Sequence, residues 1–505
     1  MPDYDYVIVG AGSAGSVVAN RLISADPSLE VLLLEAGGPD TRPEIFIPAA
    51  LPTLFGTEVD WAYMTEPEPG LDGRQIYHPR GKVLGGSSAI NGMIYIRGNR
   101  RDFDRWEAAG NDGWGYDQVL PYFISAEGNG RGASDYHGGE GPLAVDDNPA
   151  LDPRSEAFLE AAKELGYAEN GDFNGADQDG FGPFQVNIRH GRRITSAEAF
   201  LRPVLNESNL TVATNALATK IVLSDGKVSG LDYVKDGETV RAQVRRELVL
   251  CAGAFESPKL LMLSGIGPAD QLTQLGVHVQ LDLPGVGANL HDHPRIDIAY
   301  ANPNPSEIDP RSNILETAGF LNTSSDPEGP DVQFHFATTL VNPMLLDRGP
   351  GWQIIVCPTR PKARGELRLR STDPAEHPSL LFNYLTEAED RAALLRGLAV
   401  ARELAMADAF EGLRGDEIFP GADVRAEADL EACLRSMMDS EYHPVGTCKM
   451  GTDESAVVDP QLRVRGVEGL RVADASIFPE ITSGNTNAAT VMVGEKAADL
   501  LLNPT

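Results

Sequence analysis

The sequence predicts a mixed α/β protein with a Rossmann-like dinucleotide-binding domain and a separate second domain. The chain has 505 residues, more than a single hydrophobic core usually serves. It opens on a strand, a glycine turn, a helix and a second strand, which is the order of a parallel βαβ unit. Residues 296–434 carry their own set of strand and helix patterns, which indicates the second domain.

The opening unit has the pattern of a dinucleotide-binding site. Residues 4–9 and 31–34 are short apolar runs typical of buried strands, and Ser16 to Ser24 has helical apolar spacing. The run from Gly10 to Gly15 lets the backbone approach a pyrophosphate at the N-terminus of that helix. Glu35, at the end of the second strand, would accept hydrogen bonds from ribose hydroxyls. A sheet turn that binds nothing is the alternative.

Charge and cysteine usage exclude several classes of function. The formal net charge is −32, and an acidic surface disfavours nucleic acid and anionic membranes, which are both polyanions. The four cysteines are far apart and form no CxxC pair, so we expect neither a disulfide framework nor a metal site. No signal peptide and no apolar run of about 18 residues is found. We therefore expect a cytoplasmic protein without a transmembrane segment, either free or peripheral to the inner membrane.

Two further stretches indicate chemistry near such a cofactor. His443 is followed by Pro444, which fixes the local backbone, although a lone histidine is more often structural than catalytic. The glycine- and hydroxyl-rich run from Gly81 to Met93 could lie against a phosphate or a ring, or could be a plain loop. With Asn485-Thr486-Asn487 near the C-terminus, these stretches predict a His–Asn pair brought to the reactive ring of a dinucleotide.

Apolar spacing predicts the remaining elements. Strands are expected at 210–212, 221–223, 228–233, 248–250, 331–340, 352–359 and 470–472. Helices are expected at 155–166, 387–407, 425–437 and 488–501, and a Gly/Asp-rich loop at 170–183.

The motifs together resemble the glucose–methanol–choline (GMC) oxidoreductases, a family of FAD-dependent alcohol-oxidising enzymes. The loop 81–91 is similar to one family signature and the segment 253–267 to the second. The stretch around His443 and the segment 485–487 follow in the family's order. The resemblance covers nearly the whole chain, and within the family it points to bacterial choline-dehydrogenase-like and aliphatic alcohol dehydrogenases.

The resemblance implies a discontinuous arrangement of the two domains. The FAD-binding domain would comprise 1–150, 196–295 and 438–505, and the substrate-binding domain 151–195 and 296–437. A large antiparallel sheet with flanking helices would form the substrate-binding domain and roof the flavin.

The resemblance also implies which residues contact FAD. Ala218 would meet the adenine end, Ala252 would pass under the cofactor, and Asp474 and Ala475 would contact the pyrophosphate and ribityl region. The other implied contacts are Gly10, Gly12, Ser13, Ala14, Gly15, Glu35, Ala36, Arg80, Val83, Gly85, Ser88, Asn91, Gly92, Met93 and Thr490. Some relatives attach FAD covalently through a histidine where this chain has Ile90, so non-covalent FAD is expected.

Alcohol oxidation by a flavin needs a base and a donor to the developing alkoxide, besides the hydride acceptor. The resemblance assigns the base to His443 and pairs it with Asn487, whose amide can donate a hydrogen bond but cannot act as a base. Imidazole titrates near neutral pH, which suits this role.

Four residues are predicted to face the substrate: Arg295, His335, Glu441 and Tyr442. Arg295 stands where choline-oxidising relatives have a glutamate, so we expect it to repel a trimethylammonium group and make choline a poor substrate. Glu441 stands where an apolar residue is expected. Because their charges are opposite, Arg295 and Glu441 are predicted to pair, the alternative being that both point into solvent. A buried structural role is the alternative for His335.

These observations predict an enzyme that oxidises a primary alcohol to an aldehyde and passes electrons to O₂ or to a respiratory acceptor such as a quinone. Choline dehydrogenase, a pyridoxine-type oxidase and an aryl-alcohol oxidase on the same fold are the neighbouring alternatives. A flavoprotein lyase or photoenzyme is disfavoured because His443 and Asn487 are intact. A flavin-binding sensor or scaffold is the alternative outside enzymes. The sequence leaves the oligomeric state and the physiological alcohol open.

Overall fold

A computed structural model describes residues 3–149, 151–324 and 328–503 of the protein. Its helices are α1 Ser13–Ala25, α2 Arg100–Ala108, α3 Tyr116–Ala126, α4 Pro153–Glu164, α5 Gly253–Leu263, α6 Ala269–Gln274, α7 Ala388–Met406, α8 Glu427–Met437 and α9 Asn487–Leu502. Its strands are β1 Asp3–Val9, β2 Val31–Leu34, β3 Tyr63–Met64, β4 Tyr77–His78, β5 Glu127–Asn129, β6 Leu143–Asp147, β7 Gly180–Pro183, β8 Gln185–Val186, β9 Ile188–Arg189, β10 Arg192–Arg193, β11 Leu210–Ala213, β12 Ala216–Ser224, β13 Lys227–Lys235, β14 Glu238–Leu250, β15 Ile266–Gly267, β16 Leu281–Asp282, β17 Pro294–Ala301, β18 Leu315–Leu321, β19 Val332–Ala337, β20 Gly351–Pro358, β21 Glu366–Arg368, β22 Ser379–Leu381, β23 Glu417–Phe419, β24 Asp439–Ser440 and β25 Leu470–Val472.

The first large sheet has a parallel centre and an antiparallel arm. Its strand order is β11-β2-β1-β14-β13-β12, and β25 pairs with β14. The pairs β11–β2, β2–β1, β1–β14 and β14–β25 are parallel, whereas β12, β13 and β14 pair antiparallel. The four residues of β2 are all buried, as a parallel strand covered on both faces requires. This sheet places the carboxyl ends of β1, β2 and β14 side by side.

Helices α1 and α9 pack together although they come from opposite ends of the chain. Gly494 of α9 allows the close approach, because a Cβ there would lie 2.8 Å from the carbonyl oxygen of Ala14. The Arg21 and Glu495 side chains form an ion pair of 2.6 Å at the edge of this contact. The C-terminal segment that precedes α9 is therefore held next to the N-terminus of α1.

The second large sheet is antiparallel throughout. Its order is β23-β17-β20-β19-β18-β7, and β24 pairs with β17. Helix α7 packs on it, and Gly397 makes room, because a Cβ there would lie 2.3 Å from a methyl carbon of Val356. Every residue of β19 and β20 is buried, which identifies these strands as the centre of the second core.

Most predicted elements agree with the structure within two or three residues. The strands expected at 221–223 and 248–250 are parts of the longer strands β12 and β14, and the expected loop at 170–183 is wrong in part. The loop expected at 170–183 ends in strand β7, the edge strand of the antiparallel sheet. Gly182 permits this, because a Cβ there would lie 1.7 Å from the Asn170 carbonyl oxygen. Glycine is rare in strand interiors, so composition argued against a strand here.

The predicted mixed α/β fold class is confirmed. The fold has one sheet with a parallel centre and one large antiparallel sheet with helices. The division into domains stays a prediction, and its boundary after residue 295 falls inside β17, whose first residues pair with β24. Residues 1–2, 150, 325–327 and 504–505 of the two predicted domains lie outside the described residues. Among the described residues, no helix combines the length and apolar character that a membrane crossing needs.

Candidate active site

Both sheets contribute to the wall of one cavity of about 670 Å³. On one side it is lined by the ends of β1, β2 and β14, and on the other by residues of β17, β18 and β20. Ligands of α/β sheets bind outside the carboxyl ends of the parallel strands, and cavities of this volume are typical of small-molecule sites. His443 and the segment 485–487 also line it.

Two glycine turns meet at the N-terminus of α1. Gly10 has φ +99°, and a Cβ there would lie 2.4 Å from the Cys251 carbonyl oxygen. Gly86 has φ +53°, and a Cβ there would lie 2.7 Å from the Cα of Gly12. Gly12 precedes α1 without a side-chain cap, and the first turn carries no acidic residue. The helix N-terminus is therefore left electropositive beside the cavity, in a cradle that fits a pyrophosphate.

Glu35 ties this turn to the end of β2. Its Oε2 accepts a hydrogen bond from the Ala11 N–H at 3.1 Å, and its Oε1 accepts one from the Gly37 N–H at 2.8 Å. Burial raises the pKa of Glu35 to about 7, against the lowering effect of these two backbone donors and of Lys82. Glu35 also lines the cavity, so its contact with ribose hydroxyls stays a prediction.

The backbone around His443 is fixed from two sides. Tyr442 has the left-handed φ of +63°, and the Arg80 guanidinium donates a hydrogen bond to its carbonyl oxygen. The His443 N–H donates to Asp292 Oδ1 at 2.6 Å. The hydroxyl of Tyr384 donates to the other oxygen of Asp292. The imidazole is thereby presented to the cavity on a rigid turn, with a carboxylate beneath its backbone.

The hydrogen bonds of His443 determine its tautomer. His293 Nε2 lies 3.1 Å from the Thr359 carbonyl oxygen and must donate to it, so His293 Nδ1 is an acceptor. His443 Nδ1, 3.1 Å from His293 Nδ1, therefore carries the proton. On the other side, Asn485 Nδ2 lies 3.2 Å from His443 Nε2, and its Oδ1 accepts from Gln333 at 3.4 Å. His443 Nε2 is thus unprotonated, and its lone pair accepts a hydrogen bond from the Asn485 amide.

Burial keeps the imidazole of His443 neutral. It holds the pKa of His443 well below the ordinary value, and the neighbours His293, His335 and Arg80 add to the effect. The expectation of a histidine that titrates near neutral pH is therefore corrected: the neutral, proton-accepting form is present throughout the physiological range.

The direct partner of His443 differs from the predicted one. Asn485 contacts its ring, whereas the Oδ1 of Asn487 accepts a hydrogen bond from Ser13 Oγ at 2.7 Å. Asn487 is the first residue of α9 and lies against the first residue of α1. The structure therefore assigns the contact with His443 to Asn485, and a catalytic role for Asn487, which also lines the cavity, stays a prediction.

Arg295 lies among carboxylates and is only 4% exposed. Its Nη2 lies 3.0 Å from Asp439 Oδ2, its Nη1 3.7 Å from Asp297 Oδ1, and its Nε 3.9 Å from Glu441 Oε1. The predicted pairing of Arg295 with Glu441 is confirmed at ion-pair range, and neither side chain points into solvent. Three carboxylates lie near the guanidinium and oppose its charge, and the repulsion of a trimethylammonium group by Arg295 stays a prediction.

The other two predicted substrate residues differ in exposure. Tyr442 lines the cavity and donates a hydrogen bond to Asp439 Oδ2 at 3.3 Å. His335 is fully buried, does not line the cavity, and has its Nε2 4.0 Å from Glu441 Oε2. Burial, with Arg295 and His293 adding to it, lowers the pKa of His335 to about 3, so its ring is neutral.

Most of the predicted cofactor residues line the cavity: Gly10, Gly12, Ser13, Ala14, Glu35, Ala36, Arg80, Asn91, Gly92, Met93, Ala218, Ala252, Asp474, Ala475 and Thr490. Four do not line it, and their direct contact with the cofactor stays a prediction. Gly15 packs on the Gly10 carbonyl, and Val83 lies in an apolar cluster with Ile45. The Gly85 N–H donates to the Ala11 carbonyl oxygen, and Ser88 Oγ donates to the Gly85 carbonyl oxygen. These four shape the wall from behind.

Sequence reasoning did not single out three residues that hold His443: Asp292, His293 and Asn485. Of the segment 290–295, it predicted a role for Arg295 alone. The adjacent residues Asp292 and His293 could have indicated this role, because a carboxylate next to a histidine is a common support for a catalytic group. Asn485 was named as part of its segment, but a side-chain direction in a turn cannot be read from spacing.

Comparison with known proteins identifies the family. Sequence models described as GMC oxidoreductase match residues 4–295 and 361–494. Proteins named oxygen-dependent choline dehydrogenase are similar: that of Burkholderia multivorans is 43% identical over 98% of this chain and 93% of its own length, and that of Sinorhizobium medicae is 42% identical over 99% and 95%. The crystal structure of pyridoxine 4-oxidase from Mesorbium loti superposes with a TM-score of 0.93 at 35% identity, covering 98% of each chain.

The chain belongs to the GMC oxidoreductase family, and its cofactor is FAD. The glycine cradle at α1, the buried Glu35 and the loop with Gly86 fit the adenine dinucleotide half of that cofactor.

Proposed function

We propose that the protein oxidises a primary alcohol to an aldehyde in an FAD-dependent reaction, with His443 as the base. The observation that carries the proposal is the unprotonated Nε2 of His443 in the wall of the cavity, where its lone pair is held by a hydrogen bond from the Asn485 amide that a substrate hydroxyl could replace. Choline and pyridoxine, the compounds in the names of the relatives, both carry a primary hydroxyl group.

The residues at the two glycine turns would hold the cofactor. The α1 N-terminus would bind the pyrophosphate, Glu35 the ribose, and the segments around Ala252 and Ala475 the middle of the molecule. The Ile90 side chain lines the cavity and offers no nucleophile, which supports non-covalent binding. When bound, FAD accepts a hydride from the alcohol carbon and afterwards passes the two electrons to O₂ or to a quinone-type acceptor.

The protein's own groups manage the proton. The substrate hydroxyl would replace the Asn485 amide as the donor to His443 Nε2, and its proton would move to that nitrogen as the alkoxide develops. The Asn485 Nδ2 group, 3.2 Å from the same nitrogen, donates to the developing oxyanion. His293 keeps the other ring nitrogen protonated through its own bond to the Thr359 carbonyl. The apolar residues Leu315, Leu340 and Ile355 line the wall and limit the access of water.

The test is the reductive half-reaction of the FAD-loaded protein. Under anaerobic conditions, primary alcohols should bleach the flavin absorbance and yield one aldehyde per flavin. Readmission of O₂, or addition of a quinone acceptor in its place, identifies the physiological class of oxidant. His278→Ala, an exposed histidine, serves as the control for histidine loss. Bound FAD that no primary alcohol reduces would favour a sensor or scaffold instead.

A further inference from the structure

In the described part of the chain, three neighbouring side chains beside the cavity carry four buried polar atoms without a hydrogen-bond partner. Among the described residues, Arg295 Nε, Glu441 Oε1 and both ring nitrogens of His335 have no hydrogen-bond partner. The three side chains are at least nine-tenths buried. Arg295 and Glu441 line the same cavity as His443, and His335 stands behind Glu441. We call Arg295, Glu441 and His335 the polar bay.

An ion pair between Arg295 and Glu441 does not satisfy the unpaired atoms of the polar bay. Arg295 already has a closer partner, Asp439, at 3.0 Å. The 3.9 Å between Arg295 Nε and Glu441 Oε1 exceeds the length of a hydrogen bond. Buried donors and acceptors are costly when unpaired, so native proteins satisfy nearly all of them. An oxygen atom at ordinary hydrogen-bond distance from both atoms would satisfy both.

The chemistry of the two atoms selects the group that fits. Arg295 Nε can only donate, whereas Glu441 accepts as a carboxylate and can also donate as a carboxylic acid. A hydroxyl accepts from the first and either donates to or accepts from the second, so it satisfies both at once in either state of Glu441. An ammonium would leave Arg295 Nε unpaired, and a substrate carboxylate would add a negative charge beside Asp297 and Asp439. A trimethylammonium has neither a donor nor an acceptor.

We propose that the polar bay binds a second hydroxyl group of the substrate, so that the enzyme acts on diols or polyols. The proposal rests on the proposed function and specifies the substrate class of the same site. One hydroxyl meets His443 and Asn485, the other lies between Arg295 and Glu441, and the apolar wall around Ile355 contacts the carbon chain between them. The bay takes no part in the redox step, in which one carbinol loses a hydride to the cofactor and a proton to His443.

The experiment compares matched substrates. Straight-chain α,ω-diols of two to six carbons are assayed with the FAD-loaded enzyme against the monoalcohols of the same length. The best diol should exceed its monoalcohol in kcat/KM by at least about tenfold, as expected for a buried site that pairs with a substrate hydroxyl. ω-Hydroxycarboxylates, ω-amino alcohols and choline complete the panel.

Variants at Glu441 locate the effect. In Glu441→Leu the preference for the diol should fall to within a factor of about two, while monoalcohol turnover persists. Glu441→Gln keeps a donor and an acceptor and should retain most of the preference. If Glu441 merely stabilised the fold, its replacement would lower kcat/KM for the diol and for the monoalcohol together. If Glu441→Leu does not fold, the ratio of kcat/KM for diol and monoalcohol in the unmodified enzyme still tests the proposal.

A binding measurement separates the two proposals. Titration of FAD-loaded His443→Ala with each alcohol, followed by the flavin absorbance, reports affinity without turnover. If no alcohol reduces the unmodified enzyme, the proposed function fails, and tighter binding of diols still supports the bay. Equal affinity and equal kcat/KM for diol and monoalcohol would overturn the proposal, since water would then be the partner of the unpaired atoms in the polar bay. A hydroxycarboxylate that surpasses every diol would overturn it too, since the Arg295 charge would then dominate.

Discussion

Glu441→Gln is expected to stabilise the protein at alkaline pH. The Glu441 side chain is 10% exposed. Burial raises its pKa from 4.5 to about 8. The charge of Arg295 lowers this pKa, whereas the charges of Asp297, Asp292 and Asp439 raise it further. Because the folded pKa lies above the unfolded one, the protonated carboxyl favours folding. Its stabilising contribution is complete below pH 4.5 and is lost as the pH rises through about 8.

The size of the effect follows from the pKa difference. Each pKa unit corresponds to about 1.4 kcal/mol, so full ionisation of Glu441 lowers the free energy of unfolding by at most about 5 kcal/mol. Glutamine keeps the shape of the side chain and does not ionise. Arg295 retains Asp439 at 3.0 Å in the variant, so its charge stays paired. We expect a gain of about 2–5 kcal/mol near pH 9 and little change near pH 5.

The assay is urea unfolding of the FAD-loaded proteins at the two pH values. Glu454→Gln, at an exposed glutamate, is the matched control for the loss of one acidic group. Other ionising groups are common to both proteins and cancel in the difference. A variant that gains nothing near pH 9, or gains equally at both pH values, would refute the reasoning.

Three further outcomes are expected. Acid precipitation should release FAD into the supernatant, because Ile90 offers no linkage atom; colour that stays in the washed pellet would show a covalent bond. Asn485→Ala should lower kcat by about 10²-fold, the usual cost of one oxyanion donor, and a variant with unchanged kcat would return the donor role to Asn487. Choline should be a poor substrate because its headgroup cannot hydrogen bond in the polar bay; a choline kcat/KM equal to that of the best diol would contradict this.

The nucleotide end of the site could be predicted because its signals are local. The turn from Gly10 to Gly15 must follow one strand and precede one helix, and Glu35 must end the next strand. A few consecutive residues thus determine the geometry that binds a pyrophosphate. The same locality explains why the helix and strand bounds in this part of the chain agree with the structure.

The contacts around His443 could not be predicted because they join distant segments. His293 and Asn485 contact the ring of His443, and Thr359 contacts His293. Only the packed sheets bring these parts of the chain together. The charge near Arg295 was misjudged for the same reason, because Asp439 is its closest partner through the pairing of β24 with β17. Opposite signs in the sequence indicated a pair but not the full set of carboxylates.

The most direct measurement is the anaerobic reduction of bound FAD by a primary alcohol in the unmodified protein and in His443→Ala. We expect rapid bleaching in the unmodified protein and in His278→Ala. In His443→Ala, which should keep FAD, the rate should fall by at least about 10²-fold, the usual contribution of a general base. Reduction of His443→Ala at the unmodified rate would contradict the assignment of His443 as the base.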